Sequence, residues 1–133
     1  MSAEARSYLD SSALVKMVLA EIESPALAAH LAARPRRVSC GLANVEVVRA
    51  VRGDGAAAVA RARQLVARIE VLELDEPLLR AAADIEDTAM RSLDAIHVAA
   101  ALSIGEDLDE LITYDRRMAR AAADHGLAVV APA

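Results

Sequence analysis

Phenylalanine and tryptophan are absent from this chain, tyrosine occurs twice and cysteine once. Without large aromatic rings, the core of a 133-residue chain must be built from Ala, Val, Leu and Ile. Such small side chains let helices lie close against a sheet. The single Cys40 excludes an internal disulfide and reads as a small buried hydrophobe. Lysine is nearly missing too: Lys16 stands alone beside 14 arginines. The net charge is -5, which argues against a protein that binds nucleic acid through bulk positive charge. Any such partner would be held locally, against the overall field. No apolar run reaches membrane-spanning length. "ALVKMVLA" is broken by Lys16 and lacks signal-peptide flanks. The expectation is a soluble protein of a reducing compartment, the cytoplasm, with no membrane contact.

What is present is hydrophobic patterning over 56% of the residues. "RSYL" (Arg6 to Leu9) predicts a strand ending at Asp10. "SALVKMVLAE" has helical spacing, and Ser24-Pro25 opens a second helix running to about Arg34. "RVSC" predicts a strand and "LANVEVVRAVR" a helix. Gly53 to Gly55 breaks the chain before the helix "AAAVARARQLVARI". "EVLEL" (Glu70 to Leu74) alternates as a strand, "EPLLRAAADIED" follows as a helix, and "RSLDAIHVAAAL" is apolar nearly all round, hence a buried helix. "GEDLDE" predicts an acidic loop, "LITY" a strand ending at Asp115, "RRMARAAADHG" a helix and "LAVVAP" a last strand. Strands separated by helices imply an α/β fold with a mostly parallel central sheet and helices on both faces, a three-layer α/β/α sandwich. At this length it is one domain, burying roughly two-thirds of its extended-chain surface.

Ligands of open parallel sheets bind beyond the carboxyl ends of the strands, near the switch in strand order. Asp10 and Asp115 sit at such ends. Glu46 and Asp94 sit early in helices with little polar company. Four carboxylates far apart in sequence can therefore meet in one pocket. Each also has a plain structural role open to it. Asp10 and Asp115 can be helix N-caps, Asp94 can gain from the helix dipole two residues after a Ser92 cap, and Glu46 can pair with Arg49 or Arg52. Two carboxylates at ~4 Å repel by about 4 kcal/mol at an effective dielectric of 20, so a shared pocket calls for a cation. All-oxygen ligation fits Mg²⁺ or Mn²⁺ better than Zn²⁺.

The segments "YLDSSALVK", "LANVEVVRAVR", "RSLDAIHVAAAL" and "LITYDRRMARAAADHGLAVV" resemble, in order and spacing, the four motif blocks of PIN-domain ribonucleases, specifically VapC-type toxins of bacterial toxin–antitoxin pairs. The likeness spans nearly the whole chain and implies a single PIN domain over residues 1–133. It implies an Mg²⁺-dependent endoribonuclease, with Mn²⁺ as substitute, whose catalytic and metal-binding acids are Asp10, Glu46, Asp94 and Asp115. Asp10 and Asp94 would be the main ligands. Some PIN domains carry a further acid before the fourth; here Thr113 stands nearby and can only hydrogen-bond. Gly41 is a weaker helix former than the position suggests.

Around these acids, Ser11 and Ser12 cap the first helix or hydrogen-bond within the site. Arg91, Arg116 and Arg117, with Arg120 beyond them, are candidates for gripping RNA. His97, three residues after Asp94, reads as a satisfied core histidine rather than a ligand, because imidazole suits softer metals. Arg34, Arg36 and Arg37 enter a strand from its other end. The resemblance further implies a homodimer, a cognate VapB-type antitoxin and possible higher toxin–antitoxin assembly. The apolar helices "SALVKMVLA" and "PALAAHLAA" offer surface for such contacts. Rival chemistries lack their residues: no lysine near the last strand for a phosphoacceptor domain, Ser12 where an aspartyl phosphatase needs its second Asp, and no Gly-rich nucleotide loop. The alternative from another class is a non-catalytic α/β interaction module whose acids are helix caps. A saturable Mg²⁺ effect separates the two.

Overall fold

The reversal of strand order decides where the acids go. In the computed structural model, which describes residues 5–133, β1 (Arg6–Leu9), β2 (Arg37–Cys40), β3 (Glu70–Leu72), β4 (Leu108–Ile112) and β5 (Val129–Val130) form one sheet in the order β3-β2-β1-β4-β5. Every ladder is parallel. The chain steps outward from β1 to β3, then returns to pair β4 with the free side of β1. Helices α1 (Ser11–Val18) and α2 (Ser24–Ala32) join β1 to β2, and α3 (Ala43–Val51) and α4 (Ala56–Arg68) join β2 to β3. Helices α5 (Glu76–Ala83) and α6 (Ser92–Ile104) lead to β4, and α7 (Arg116–Asp124) leads to β5. This is the α/β sandwich expected from the sequence.

Period-2 alternation along the strands feeds two cores. Leu9 and Ile112 point to a layer containing Leu14, Val18, Leu27, Val47 and Val51. Tyr8, Val38 and Leu111 point to the other, with Leu78, Val98, Ala100, Met118 and Ala122. Alanines at Ala43, Ala58, Ala62, Ala100 and Ala101 are buried almost completely, so close approach replaces the bulk of missing rings. Gly41 serves the same end: a Cβ there would stand 3.0 Å from Leu74 Cγ.

Several boundaries differ from the sequence expectation. Helix α1 stops at Val18, because the Ser24 hydroxyl reaches the carbonyl oxygens of Lys16 (2.6 Å) and Leu19 (2.9 Å) and turns the chain. Helix α5 ends at Ala83 rather than running on to Asp87, whose carboxylate accepts from the Ala89 amide in a local turn. Gly53–Gly55 is a break as expected, through a short 3-10 turn and Gly55 at φ +100°. Helix α6 is not buried all round, since Leu93 and Leu102 are exposed.

The largest correction is "GEDLDE". Only Gly105–Asp107 form a turn; the strand begins at Leu108 and takes Asp109 and Glu110 with it. Glu110 is 5% exposed. Its carboxylate accepts from Ser7 Oγ (2.8 Å), contacts His30 Nε2 (2.8 Å) and faces Arg34 Nε (3.3 Å). A buried carboxylate with these partners is tolerated inside a strand. At the same amino edge Arg6 pairs with Glu70 (3.2 Å) and Asp107 (4.0 Å). Leu14 is fully buried beneath α3 and α4; Leu14→Ala should lower unfolding free energy by about 2–5 kcal/mol, read from the urea midpoint at unchanged slope.

Candidate active site

All four acids of the sequence reading lie at helix starts, on the carboxyl side of the sheet. Asp10 follows β1, where its backbone N–H still donates to Ile112 of β4. It caps α1 through Oδ1, which accepts from the Ala13 amide (3.0 Å) and from Ser12 Oγ (2.6 Å). Its Oδ2 accepts from Thr113 Oγ1. Asp10 is 3% exposed. Asp115 follows β4 and caps α7, its Oδ1 accepting from the amides of Arg117 (2.9 Å) and Met118 (3.4 Å). Glu46 and Asp94 stand in the first turns of α3 and α6, and neither helix has a side-chain cap. The residue preceding α6 is Arg91, so the expected Ser92 cap is not formed.

Ser11 and Ser12 take the second of their expected roles. Ser11 donates to Glu46 Oε1 (2.6 Å), and Ser12, besides holding Asp10, accepts from the Tyr114 amide (2.9 Å). Thr113 accepts from the Asp115 amide (3.1 Å) while donating to Asp10, so one hydroxyl couples two acids. Glu46 pairs with neither Arg49 nor Arg52. Its partner is His97, with Nε2 at 2.8 Å from Oε1. The far nitrogen, Nδ1, lies 2.8 Å from the Tyr8 hydroxyl and 3.8 Å from Cys40 Sγ. His97 is thus a satisfied, buried histidine, as the sequence suggested, but it also belongs to the acid cluster. The legible signal was its spacing: three residues after Asp94 puts it on the same helix face.

The environments push the acids apart. Burial raises the Asp10 carboxyl above its usual value, against the hydrogen bonds from Ser12, Thr113 and Ala13. Burial and the Asp115 charge raise Asp94, opposed by His97, Arg117 and Arg91. Burial also works against Glu46, but hydrogen bonds from His97 and Ser11 reverse it and hold the carboxyl below its usual value. Burial disfavours the His97 cation; its bonds to Cys40 and Glu46 outweigh this and raise it to about 10. Arg91 and Arg117 therefore lie within electrostatic reach of Asp94. Arg116 is exposed and has no such link to Asp94.

Oxygen by oxygen, the cluster is partly spoken for. Both donors on Glu46 meet Oε1, and both on Asp115 meet Oδ1. Asp94 Oδ2 is buried with no hydrogen-bond partner, a costly arrangement for an ionised group. Among the described residues, no three His, Cys, Asp or Glu side chains stand placed to hold a metal ion. The unsatisfied Asp94 oxygen and the all-oxygen donor set nevertheless suit a hard divalent cation.

A PIN-domain family model matches residues 7–124. The chain is 45% identical over 125 residues to Ribonuclease VapC46 of Mycobacterium tuberculosis, covering 94% of this chain and 96% of that one. It is 41% identical over 129 residues to Ribonuclease VapC35 of the same species, again covering 94% and 96%. The chain belongs to the PIN-domain family, among the VapC ribonucleases. Two solved structures share its fold. One is Mycobacterium tuberculosis VapC20, described as a sarcin–ricin loop cleaving toxin, with a TM-score of 0.71 at 18% identity over 95% of this chain and 99% of that one. The other is a toxin–antitoxin complex from Klebsiella pneumoniae, with 0.72 at 18% over 96% and 98%. At that identity the likeness speaks for the fold alone.

The raised Asp94 carboxyl has a stability consequence. A folded-state pKa above the unfolded value means that ionisation opposes folding, increasingly as pH rises through that interval. Without divalent ions, Asp94→Asn should melt no lower than the parent near neutral pH. Its advantage should shrink on acidification into the ordinary carboxylate range. Scanning calorimetry at several pH values checks both.

Proposed function

We propose that this chain is an endoribonuclease dependent on a divalent cation, Mg²⁺ with Mn²⁺ as substitute. It would act as the growth-inhibiting, translation-blocking toxin of a type II toxin–antitoxin pair in the cytoplasm, a single PIN domain over residues 1–133. The observation that carries the reading is Asp94, half-buried beside Asp115 with one buried oxygen unpartnered. An interaction module whose acids are only caps accounts for Asp10 and Asp115, which do cap helices, but not for Glu46 and Asp94, which cap nothing. The curated relatives named as VapC ribonucleases support the same reading.

In this scheme Asp94, Glu46 through Oε2, Asp115 through Oδ2 and the remaining lone pairs of Asp10 would hold the ion. A divalent ion so held supplies Lewis-acid activation of water and charge stabilisation for phosphodiester hydrolysis. Ser12 and Thr113 fix the Asp10 carboxylate from both sides, and Ser11 fixes Glu46. Arg91 and Arg117, already near Asp94, would meet the phosphates flanking the cut, with Arg116 further along α7. In a chain of net charge -5, local arginines are needed to offset repulsion of the RNA.

Partners follow from the same reading: an RNA substrate, a VapB-type antitoxin and a second copy of the chain, with no membrane. No described helix is long and apolar enough to cross one. A cleft of about 400 Å³ between the end of α1 and α2 is lined by Met17, Leu19 and Leu31 with Lys16, Ser24 and Arg37 among them, a mixed apolar and polar seat for a partner segment. A cationic side chain of the antitoxin reaching the acids would form charge-assisted bonds there.

Single-stranded or loop RNA should be cut in Mg²⁺ or Mn²⁺ and left intact in EDTA. Asp10→Ala and Asp94→Ala, folded by circular dichroism, should each lose more than the roughly 10–100-fold that follows removal of a ligand's supporting partner. Cleavage in EDTA, or by the Asp94 variant, would sink the assignment. Separately, expression of the chain alone should arrest growth, and co-expression of the neighbouring gene's product should relieve the arrest. A colony count with and without that product decides it.

A further inference from the structure

His97 is 3% exposed and reaches three different elements: Tyr8 on β1, Cys40 on β2 and Glu46 on α3. It rides on α6, against one face of the sheet. Through Nε2 it meets Glu46 on α3, which covers the opposite face, and through Nδ1 it meets Tyr8 on β1. The imidazole therefore passes around the carboxyl edge of the sheet and ties its two layers together. Nε2 lies 2.8 Å from Glu46 Oε1, and a carboxylate oxygen accepts there, so Nε2 is the donor and its proton is fixed in place. Tyr8 is fully buried with its ring edge-on to the imidazole at 76°, and its hydroxyl accepts from the protonated Nδ1 or donates to the bare one. Turning the ring would break the bond to Glu46 and orphan the buried Tyr8 hydroxyl at once.

The consequence falls on Glu46. Its side chain is partly exposed, at 27%, and a glutamate in a first helical turn has several rotamers open to it. Ser11 and His97 converge on the same oxygen, Oε1, at 2.6 and 2.8 Å. That choice leaves Oε2 as the one oxygen free of hydrogen bonds and fixes where it sits. We propose that His97 is a positioning residue: anchored by the Tyr8 hydroxyl, it pins Glu46 by Oε1 so that Oε2 alone is offered to a divalent cation, as a single-oxygen contact. This rests on the acid-cluster reading above and adds to it a residue that touches neither cation nor RNA.

The test needs no RNA. Mn²⁺ is titrated calorimetrically into the full chain and its variants. His97→Leu should weaken Mn²⁺ binding about tenfold, the low end of the cost of losing a ligand's supporting partner. His97→Gln, whose amide can still donate to Glu46, should recover most of it. Tyr8→Phe, which removes only the anchoring hydroxyl, should give a smaller loss in the same direction. If His97 acts through Glu46, His97→Leu combined with Glu46→Gln binds no more weakly than Glu46→Gln alone. A residue that only fills the core would lower the melting temperature, leave affinity untouched and gain nothing from the Gln variant. Parent-like affinity in His97→Leu, or losses that simply add in the double variant, would overturn the proposal. Should His97→Leu fail to fold, the comparison of Tyr8→Phe with the parent decides it, unchanged affinity again counting against. A parent that cuts no RNA but shows the predicted Mn²⁺ series would refute the nuclease reading and leave the role of His97 intact. A parent that binds no Mn²⁺ would refute both.

Discussion

Much of this molecule hangs on one buried carboxylate. Asp10 is where β1 ends, where α1 is capped and where β4 is joined across the strand reversal. Its two oxygens take an amide and a hydroxyl from α1 and the hydroxyl of Thr113. These hydrogen bonds tie together the two sides of the switch point, from which the chain leaves in opposite directions. Burying a carboxylate is expensive, and the cost is met locally by donors whose backbone is fixed by the same strands. The site and the fold share this joint, so the acids stand on a frame that does not rearrange independently of the sheet.

The missing aromatics shape what surrounds that joint. With alanine so common at the contacts, helices on both faces sit close to the strands, and polar groups at the sheet's carboxyl edge come near one another without a bulky ring between them. Of the two tyrosines, Tyr114 turns its hydroxyl to the Pro132 carbonyl, while Tyr8 is fully buried, so its hydroxyl needs a partner inside and finds His97. The hydrophobic inventory and the hydrogen-bond network meet at this residue.

The order of elements and the positions of all four acids were legible in the sequence, because strand ends and helix starts are marked by local chemistry: Asp10 and Asp115 close apolar runs, and Glu46 and Asp94 interrupt them. What was not legible depended on contacts far along the chain. Glu110 looked like part of an acidic loop because its compensation, Ser7, His30 and Arg34, lies some 80 to 100 residues away. The plain structural role open to Glu46 is a pair with Arg49 or Arg52, cations close in sequence, whereas His97 reaches it from a different layer. By sequence His97 reads as a ligand or a satisfied core histidine. A side chain that orients a neighbour is a third possibility that spacing alone does not raise. The end of α1 at Val18 was set by a serine hydroxyl six residues on, a tertiary competitor that helical periodicity ignores.

The pairing of Glu110 reaches beyond local stability. At the amino edge of the sheet, Glu110, Glu70 and Asp107 are matched by Arg34 and Arg6. At the carboxyl edge the acids bond to hydroxyls, amides and the His97 imidazole, and Arg91 and Arg117 act on Asp94 only through space. The acids of one rim are therefore matched by direct arginine pairs, and those of the other mostly by neutral donors. A chain of modest overall acidity thus places its ion pairs unevenly, and the rim it leaves less neutralised is the one from which, on the reading proposed above, a divalent cation would approach.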